Sequence, residues 1–360
     1  MALSGPKLMD FEPSPEQRRL IEQATAFASD LPAALPKDGV GFATEAYTAL
    51  GARGHFSVRA TADAALIVVA LSRKSAALGA TFATGWLFLD TLRRHAQGDA
   101  LAAVAARAEA GTLTGALAFA PASRTDADEL SASEDGAEVR FTGRTAPAPL
   151  VPVASDALIT ATLRSGGGVI ACVELSGRGA RKAPPSPSLG LEGLPRGIVE
   201  LAGAAVPRER VLLTGDAAIA AARGLGRARS ILWAAVAVGV AGHAVDRAVS
   251  HVRSAGKLPQ STEFLVSDLA TGYDAVFLST MHAAWQRDQG VATDAAGASA
   301  KLLAARTATE LCHGALGVCG ESGYDEDLRR AYIDARHLEL YEGAEAEQID
   351  VIASHMLGES

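Results

Sequence analysis

A chain of 360 residues can bury a large core, and a formal charge of −8 without a Lys/Arg block argues against nucleic acid or an anionic membrane surface as partner. Apolar residues make up 49% of the sequence and aromatics only 5%, so a core of Ala, Leu and Val is expected, which suits close helix packing. Cys172, Cys312 and Cys319 are too few and too irregularly spaced for a disulfide framework; they are expected to be small core residues in a reducing cytoplasm, and no metal site is expected. The richest apolar run, Ile231 to Ala241, is well short of the roughly 18 residues of a spanning helix, so no membrane span is expected. The start lacks a basic segment followed by an apolar block, so no signal peptide is expected either.

The first part of the chain has helical periodicity, with apolar residues at i, i+3 and i+4 in Leu20 to Phe27, Ala64 to Leu78, Ala83 to Leu92 and Leu101 to Ala108. From Ala116 the period changes. Val139 and Phe141, then Ala157 to Leu163, read as strands, and Gly166, Gly167 and Gly168 form a hairpin turn before Val169 to Leu175. No helix pattern follows these glycines, which argues against a phosphate cradle. The Pro and Ser-rich stretch Ala183 to Leu189 is a surface loop inside the same β region. After Asp216 the helical period returns in Ala217 to Arg223, Arg229 to Val252, Thr262 to Trp285 and Ala295 to Cys312, and Gln348 to Met356 forms a last helix. The predicted fold is mostly α with a central β domain: an N-terminal helical domain over 1–115, a β domain over 116–215 and a C-terminal helical bundle over 216–360.

Near the end, Asp334-Ala335-Arg336 is followed after four residues by Tyr341-Glu342-Gly343, and after four more by Gln348. Other motifs precede it in order. Phe11, Glu16, Gln17 and Arg19 lie in an opening "MDFEPSPEQRRL", Ala49 to Gly54 read "ALGARG", Ala118 and Pro121 end the first helical part, and Ala204 to Leu213 read "AAVPRERVLL". His313, Gly314 and Gly317 follow. Taken together this series resembles the acyl-CoA dehydrogenase family along nearly the whole chain. The resemblance implies FAD as cofactor, an acyl-CoA or acyl-carrier-protein thioester as substrate, a trans-2-enoyl product and an electron-transferring flavoprotein as acceptor.

By the same resemblance Glu342 is the catalytic base. The α-hydrogen of a thioester is too weakly acidic for an ordinary carboxylate near pKa 4.3, so such a base needs desolvation and a polarised partner carbonyl. In the family the backbone N–H of this glutamate and a flavin ribityl hydroxyl donate to the thioester oxygen. Gly343, lacking a Cβ, lets the backbone pass under ring and thioester. The local alternative for Glu342 is a solvated carboxylate among the surface charges Glu339, Glu345 and Glu347. Asp334 and Arg336 are expected to pair and set the loop carrying Glu342, and His313 to pack in a Gly-rich turn. Some relatives place the base on the helix covering Gly239 to Ala248, where this chain offers only Asp246.

The positions aligned with flavin contacts are Phe119, Thr125, Pro149, Arg253, Glu263, Gly314, Gly343 and Ala344. Several depart from the family. Phe119 stands where a threonine bonds the flavin, Thr125 replaces a serine that meets a phosphate, Pro147-Ala148-Pro149 replaces W-I-T, and Ala344 replaces a threonine. Arg253 and Glu263 fall where relatives reach a neighbouring subunit's flavin, and a carboxylate there would repel a pyrophosphate. Three readings follow: a homo-oligomeric FAD-dependent acyl thioester dehydrogenase, one subunit of a heteromer that completes or supports a flavin site on a partner chain, and flavin-independent thioester chemistry on the same fold.

Overall fold

In a computed structural model, the structure describes residues 12–30, 39–120, 130–184, 187–255, 259–323, 326–341 and 345–358. Helices come first: α1 (Pro15–Ser29), α2 (Val40–Ala52), α3 (Thr61–Ser72), α4 (Ala76–His95) and α5 (Asp99–Glu109). Strands follow as β1 (Gly115–Ala118), β2 (Ser131–Asp135), β3 (Glu138–Arg144), β4 (Ala148–Pro149), β5 (Asp156–Leu163), β6 (Gly168–Glu174), β7 (Ala180–Lys182), β8 (Arg196–Gly197), β9 (Val199–Pro207) and β10 (Val211–Thr214). Five helices close the sequence: α6 (Gly215–Ala255), α7 (Gln260–Asp288), α8 (Asp294–Cys319), α9 (Glu326–Leu340) and α10 (Glu345–Leu357). This is the predicted class, mostly helical with a central mixed sheet.

The chain divides into two compact units. One comprises residues 1–31, 60–76 and 230–360. Its centre is helical: the face of α3 from Ala64 to Leu71 and the stretch of α6 from Ile231 to Ala241 are buried throughout. Gly239 lets the α6 backbone approach α3, since a Cβ there would sit 2.3 Å from Cβ of Ser72 and 2.7 Å from the Val69 carbonyl oxygen.

The other unit comprises residues 32–59 and 77–229 and contains the sheet. Its strand order is β10-β6-β5-β2-β3-β9-β7, with β1 parallel to β5, and β4 and β8 form a separate antiparallel pair. The β5–β6 ladder, Leu158 opposite Cys172 and Ile159 opposite Ala171, supplies a fully buried apolar layer. Gly166 and Gly167 take the turn between them at φ +99° and +83°, values that side chains with a Cβ resist, which is why this turn is glycine.

Four sequence expectations are corrected. Ala64 to Leu78 is two helices, because the backbone N–H groups of Arg73, Lys74 and Ser75 turn back onto Val69 and Leu71 and stop α3 before α4 begins. Ala217 to Arg223 and Arg229 to Val252 are one 41-residue helix, α6, with Gly224 and Gly226 inside it. A helical glycine costs only about 1 kcal/mol, less than the burial of the flanking α6 residues returns. His313 lies within α8 rather than in a turn. Finally, the apolar run Ile231 to Ala241 extends into an 18-residue window of mean hydropathy 1.4, long and apolar enough to cross a membrane; 83% of that window is buried in the protein, as in a core helix.

Candidate active site

Glu342 belongs, by sequence, to the short connection between α9 and α10. Glu342, Gly343, Ala344 and Thr125 lie outside the described residues, whereas both helices flanking the connection are described. Helix α9 is amphipathic and buries Leu328, Ala331, Asp334, Ala335 and Leu338. Helix α8 packs against both α9 and α10 and presents a row of alanines, with Ala298, Ala304, Ala305 and Ala308 buried.

Within that apolar row sits a cation. Lys301 is 1% exposed, and its Nζ donates to the carbonyl oxygen of Leu338 at 2.6 Å. The last carbonyls of an α-helix have no partner within the helix, so the ammonium satisfies a group that α9 cannot satisfy itself. Two turns further along α8, the Thr309 hydroxyl donates to the carboxylate of Glu339, which also accepts from Arg336. Arg306, on the same helix, pairs with Glu345 in the first turn of α10. That bond holds the Glu345 carboxyl below its ordinary range. The space between these groups and Gln348 is about 10 Å³, room for one water and nothing larger.

Tyr341, the last described residue before Glu342, is buried. Its ring meets Trp233 edge-on at 5.4 Å and lies 5.1 Å from the His337 ring. Two sequence expectations change here. Arg336 is bonded to Glu339, and it is half exposed while Asp334 is buried, because positions two apart on a helix face different ways. Glu339 is not a surface charge, its side chain being 10% exposed.

The other candidate positions scatter. Gly314 lies in α8, where a Cβ would come within 2.7 Å of the tip of the Leu269 side chain on α7 and would have to displace it. Arg253 in the last turn of α6 and Glu263 in the first turn of α7 are both exposed, on either side of residues 256–258. Asp246 is engaged by Arg73 at 2.5 Å, and Arg73 also donates to the Tyr273 hydroxyl at 2.7 Å; these groups edge a cavity of about 490 Å³ between α1, α3, α6 and α7.

In the sheet-containing unit, Phe119 follows β1 and is half-buried under the guanidinium of Arg229, 4.7 Å from its ring centre. Pro149 is buried in β4, paired with Arg196 of β8. The threonine expected from the family is thus replaced by an aromatic face with a cation over it. The sequence reading missed Arg229 and Lys301. Lys301 had a legible signal, a lone cation in the run from Ala295 to Ala305; Arg229 had none, because the pair joins residues far apart in sequence.

The helices before and after the sheet define the architecture of an acyl-CoA dehydrogenase. Butyryl-CoA dehydrogenase from Megasphaera elsdenii superposes with a TM-score of 0.87 at 19% identity, covering 97% of this chain and 100% of that one. PigA with FAD and proline superposes with a TM-score of 0.85 at 20% identity over 97% of this chain and 99% of that one. Residues 218–357 match the family model for the acyl-CoA dehydrogenase C-terminal domain. Mitochondrial short-chain specific acyl-CoA dehydrogenase from Bos taurus is 36% identical over 132 residues, 34% of this chain and 32% of that protein. The match spans about a third of the length of such curated relatives. The chain therefore has the acyl-CoA dehydrogenase fold, and its C-terminal helical region is similar to the C-terminal domain of that family.

Proposed function

We propose that this chain is an FAD-dependent acyl thioester dehydrogenase with Glu342 as the base that removes the α-proton. The observation that carries the reading is the bracketing of the Tyr341-Glu342-Gly343 segment: Lys301 and Thr309 hold the end of α9 and Arg306 holds the start of α10. The helices on either side of Glu342 are thus each tied to α8, and a proton transfer from carbon requires a base held in one geometry.

Phe119 and Arg229 fit a flavin by their chemistry, a flat apolar face and a guanidinium able to donate to a carbonyl-rich ring, and PigA, of the same fold, takes FAD. The chemistry FAD supplies when bound is acceptance of the hydride that leaves the β-carbon. The rest of the step belongs to this chain: the α-proton passes to the Glu342 carboxylate, the C–H electron pair forms the α,β double bond, and the Glu342 backbone N–H stabilises the thioester oxygen as charge develops. The product is a trans-2-enoyl thioester. The electrons pass on to an electron-transferring flavoprotein, the thioester is carried by coenzyme A or an acyl carrier protein, and the chain works in the cytoplasm as an oligomer.

A second reading has a specific observation behind it. Proline at 149 has no N–H to offer a ring, and Phe119 no side-chain donor, so a partner chain could hold the flavin in a heteromer. Purification decides between the two. The first reading expects yellow protein whose flavin absorption is bleached by acyl-CoA, and Glu342→Gln protein that stays yellow and is not bleached. Protein that is colourless alone and gains flavin only with a co-expressed relative favours the heteromer; unimpaired bleaching in Glu342→Gln removes the base assignment.

A further inference from the structure

We infer that the cavity between α1, α3, α6 and α7 is a binding site for a carboxylate with an apolar body, such as a free medium-chain fatty acid. The inference needs neither the flavin nor Glu342. The stretches of the four helices that wall the cavity lie in one compact unit.

Protein interiors are close-packed, and voids much larger than a water are few in a domain. This space is about 490 Å³, inside the range of small-molecule pockets, roughly 300–1,000 Å³. Its deep part is apolar, made by the buried Ala28 of α1, the buried Leu66, Val69 and Ala70 of α3, and the half-buried Phe277 of α7. Ala28 and Ala70 keep the space open, since a longer apolar side chain at either position would extend into it.

The polar groups gather at the rim, where the Arg73 and Asp246 side chains are 37% and 59% exposed. Arg73 is fixed from several directions. Its guanidinium donates to Asp246 at 2.5 Å and to the Tyr273 hydroxyl at 2.7 Å, and it lies 5.1 Å from the Tyr273 ring centre. It also rests against α6 at Gly242, where a Cβ would come within 2.8 Å of Nε. A guanidinium has five N–H donors, so some remain after Asp246 and Tyr273 are served. The Tyr273 hydroxyl accepts from Arg73 and keeps its own hydrogen to donate. Lys74 is exposed and pairs with no carboxylate among the described residues. On the α1 wall, by contrast, the Thr25 and Ser29 hydroxyls donate to carbonyls of their own helix at 2.8 and 2.9 Å. Available donors thus collect on the α3 and α7 side of an apolar space.

Charge selects the occupant. Arg73 and Lys74 against Asp246 leave one positive charge, and the negative end of the α3 dipole offsets part of it. That balance suits one carboxylate and is too weak for a polyphosphate, so the occupant is a free acid rather than a coenzyme A ester. A cationic ligand would face two cations, and a neutral chain would leave the rim donors unused. Asp246, the carboxylate that this stretch of α6 offers, is then a positioning residue for Arg73.

Isothermal titration calorimetry of the full-length protein with octanoate, and with octanol as its uncharged counterpart, tests the assignment in native, Lys74→Gln, Tyr273→Phe and Ala70→Leu proteins. Octanoate is expected to bind native protein about tenfold more tightly than octanol, the gain from a hydrogen bond to a charged group. Lys74→Gln and Tyr273→Phe are each expected to weaken octanoate by roughly three- to tenfold and to leave octanol unchanged, whereas Ala70→Leu weakens both by filling the apolar part. A second readout fixes the place. The native cysteines are buried, so in Ser29→Cys protein iodoacetamide reacts at the rim, and octanoate is expected to slow that reaction. Absence of octanoate binding, equal affinity for octanoate and octanol, or an alkylation rate that octanoate does not alter overturns the inference. So does octanoate affinity that stays native in both Lys74→Gln and Tyr273→Phe, which places the acid elsewhere on the protein. If Ala70→Leu does not fold, Lys74→Gln and Tyr273→Phe carry the test, since they change an exposed lysine and a single hydroxyl. No readout involves flavin reduction, so failure of the Glu342 assignment leaves this site standing, and the reverse.

Discussion

At the scale of single residues, the sheet-containing unit holds a buried ionic cluster whose behaviour is set by desolvation. Arg210 pairs with Asp156 and donates from Nε to the Cys172 carbonyl at 2.9 Å, with a further contact to the Cys172 sulfur at 3.3 Å. Removing one member of a buried pair leaves the other charge stranded, so Asp156→Ala is expected to destabilise the protein by roughly 3 kcal/mol in urea unfolding. A loss no larger than that of a surface substitution would show the pair to be well solvated. Burial pushes the Cys172 thiol up to about 12, outweighing the favourable field of Arg210. The thiolate is the reactive form, so Cys172 should resist a thiol-directed reagent at pH 8 and label quickly once the protein is unfolded; rapid labelling of native protein would contradict this. The cysteines were readable from sequence as small core residues, and all three are buried and outside any disulfide. The departures from family pattern at Phe119 and Pro149 were equally readable, since residue identity needs no coordinates. What composition could not convey is the pairing of Arg229 with Phe119, or of Arg336 with Glu339 in place of Asp334, because these depend on which faces two elements turn toward each other.

At the scale of elements, two glycines on α6 separate the cost of a backbone from the cost of a contact. A Cβ at Gly239 would collide with Ser72 and the Val69 carbonyl on α3, whereas at Gly226 it would meet nothing within 4 Å. Gly239→Ala is expected to cost at least about 1–3 kcal/mol by forcing α3 and α6 apart. Gly226→Ala is expected to add up to about 1 kcal/mol, since alanine is the better helix former. Thermal or urea melts of both variants check the contrast, and equal effects would mean that helix propensity, not interhelical distance, governs α6. The same pair explains what periodicity could see. Apolar spacing located the helical and strand regions because burial of a repeating face is a local pattern. It placed a break between Arg223 and Arg229 because glycine is a poor helix former in isolation, while the long-range packing that carries α6 through Gly224 and Gly226 leaves no mark in a short window. The converse error joined α3 to α4, where the turn at Arg73 to Ser75 is made by backbone hydrogen bonds rather than by a helix-breaking residue.

At the scale of the whole molecule, acid stability follows from groups whose folded environments disfavour protonation. Burial, with help from Arg53, lowers the pKa of His55 below the usual imidazole value of 6.5, and burial with Arg94 does the same for His95. For both, the unfolded chain binds more protons than the folded one as pH drops through that value. Their contribution is therefore complete above about pH 6.5 and is lost as pH falls toward the depressed folded values. Burial alone would raise Glu109, but hydrogen bonds from Arg93 and Arg59 outweigh it and hold the carboxyl below its usual 4.5. Its contribution has the same sign, with a lower window: present above pH 4.5 and lost below it. A general effect opposes the first decline. The net charge of −8 relaxes as pH approaches the isoelectric point of about 5.5, reducing self-repulsion in the folded state. The two are distinguished by His55→Gln, which abolishes one titration and barely alters the net charge at pH 7. The melting temperature of the native protein, followed from pH 8 to pH 4, is expected to fall in two stages, and the difference between native and His55→Gln protein to shrink as pH drops from 7 to 5.5. A difference independent of pH would place the His55 contribution in packing rather than in proton binding, and would leave carboxylates such as Glu109 as the source of acid sensitivity.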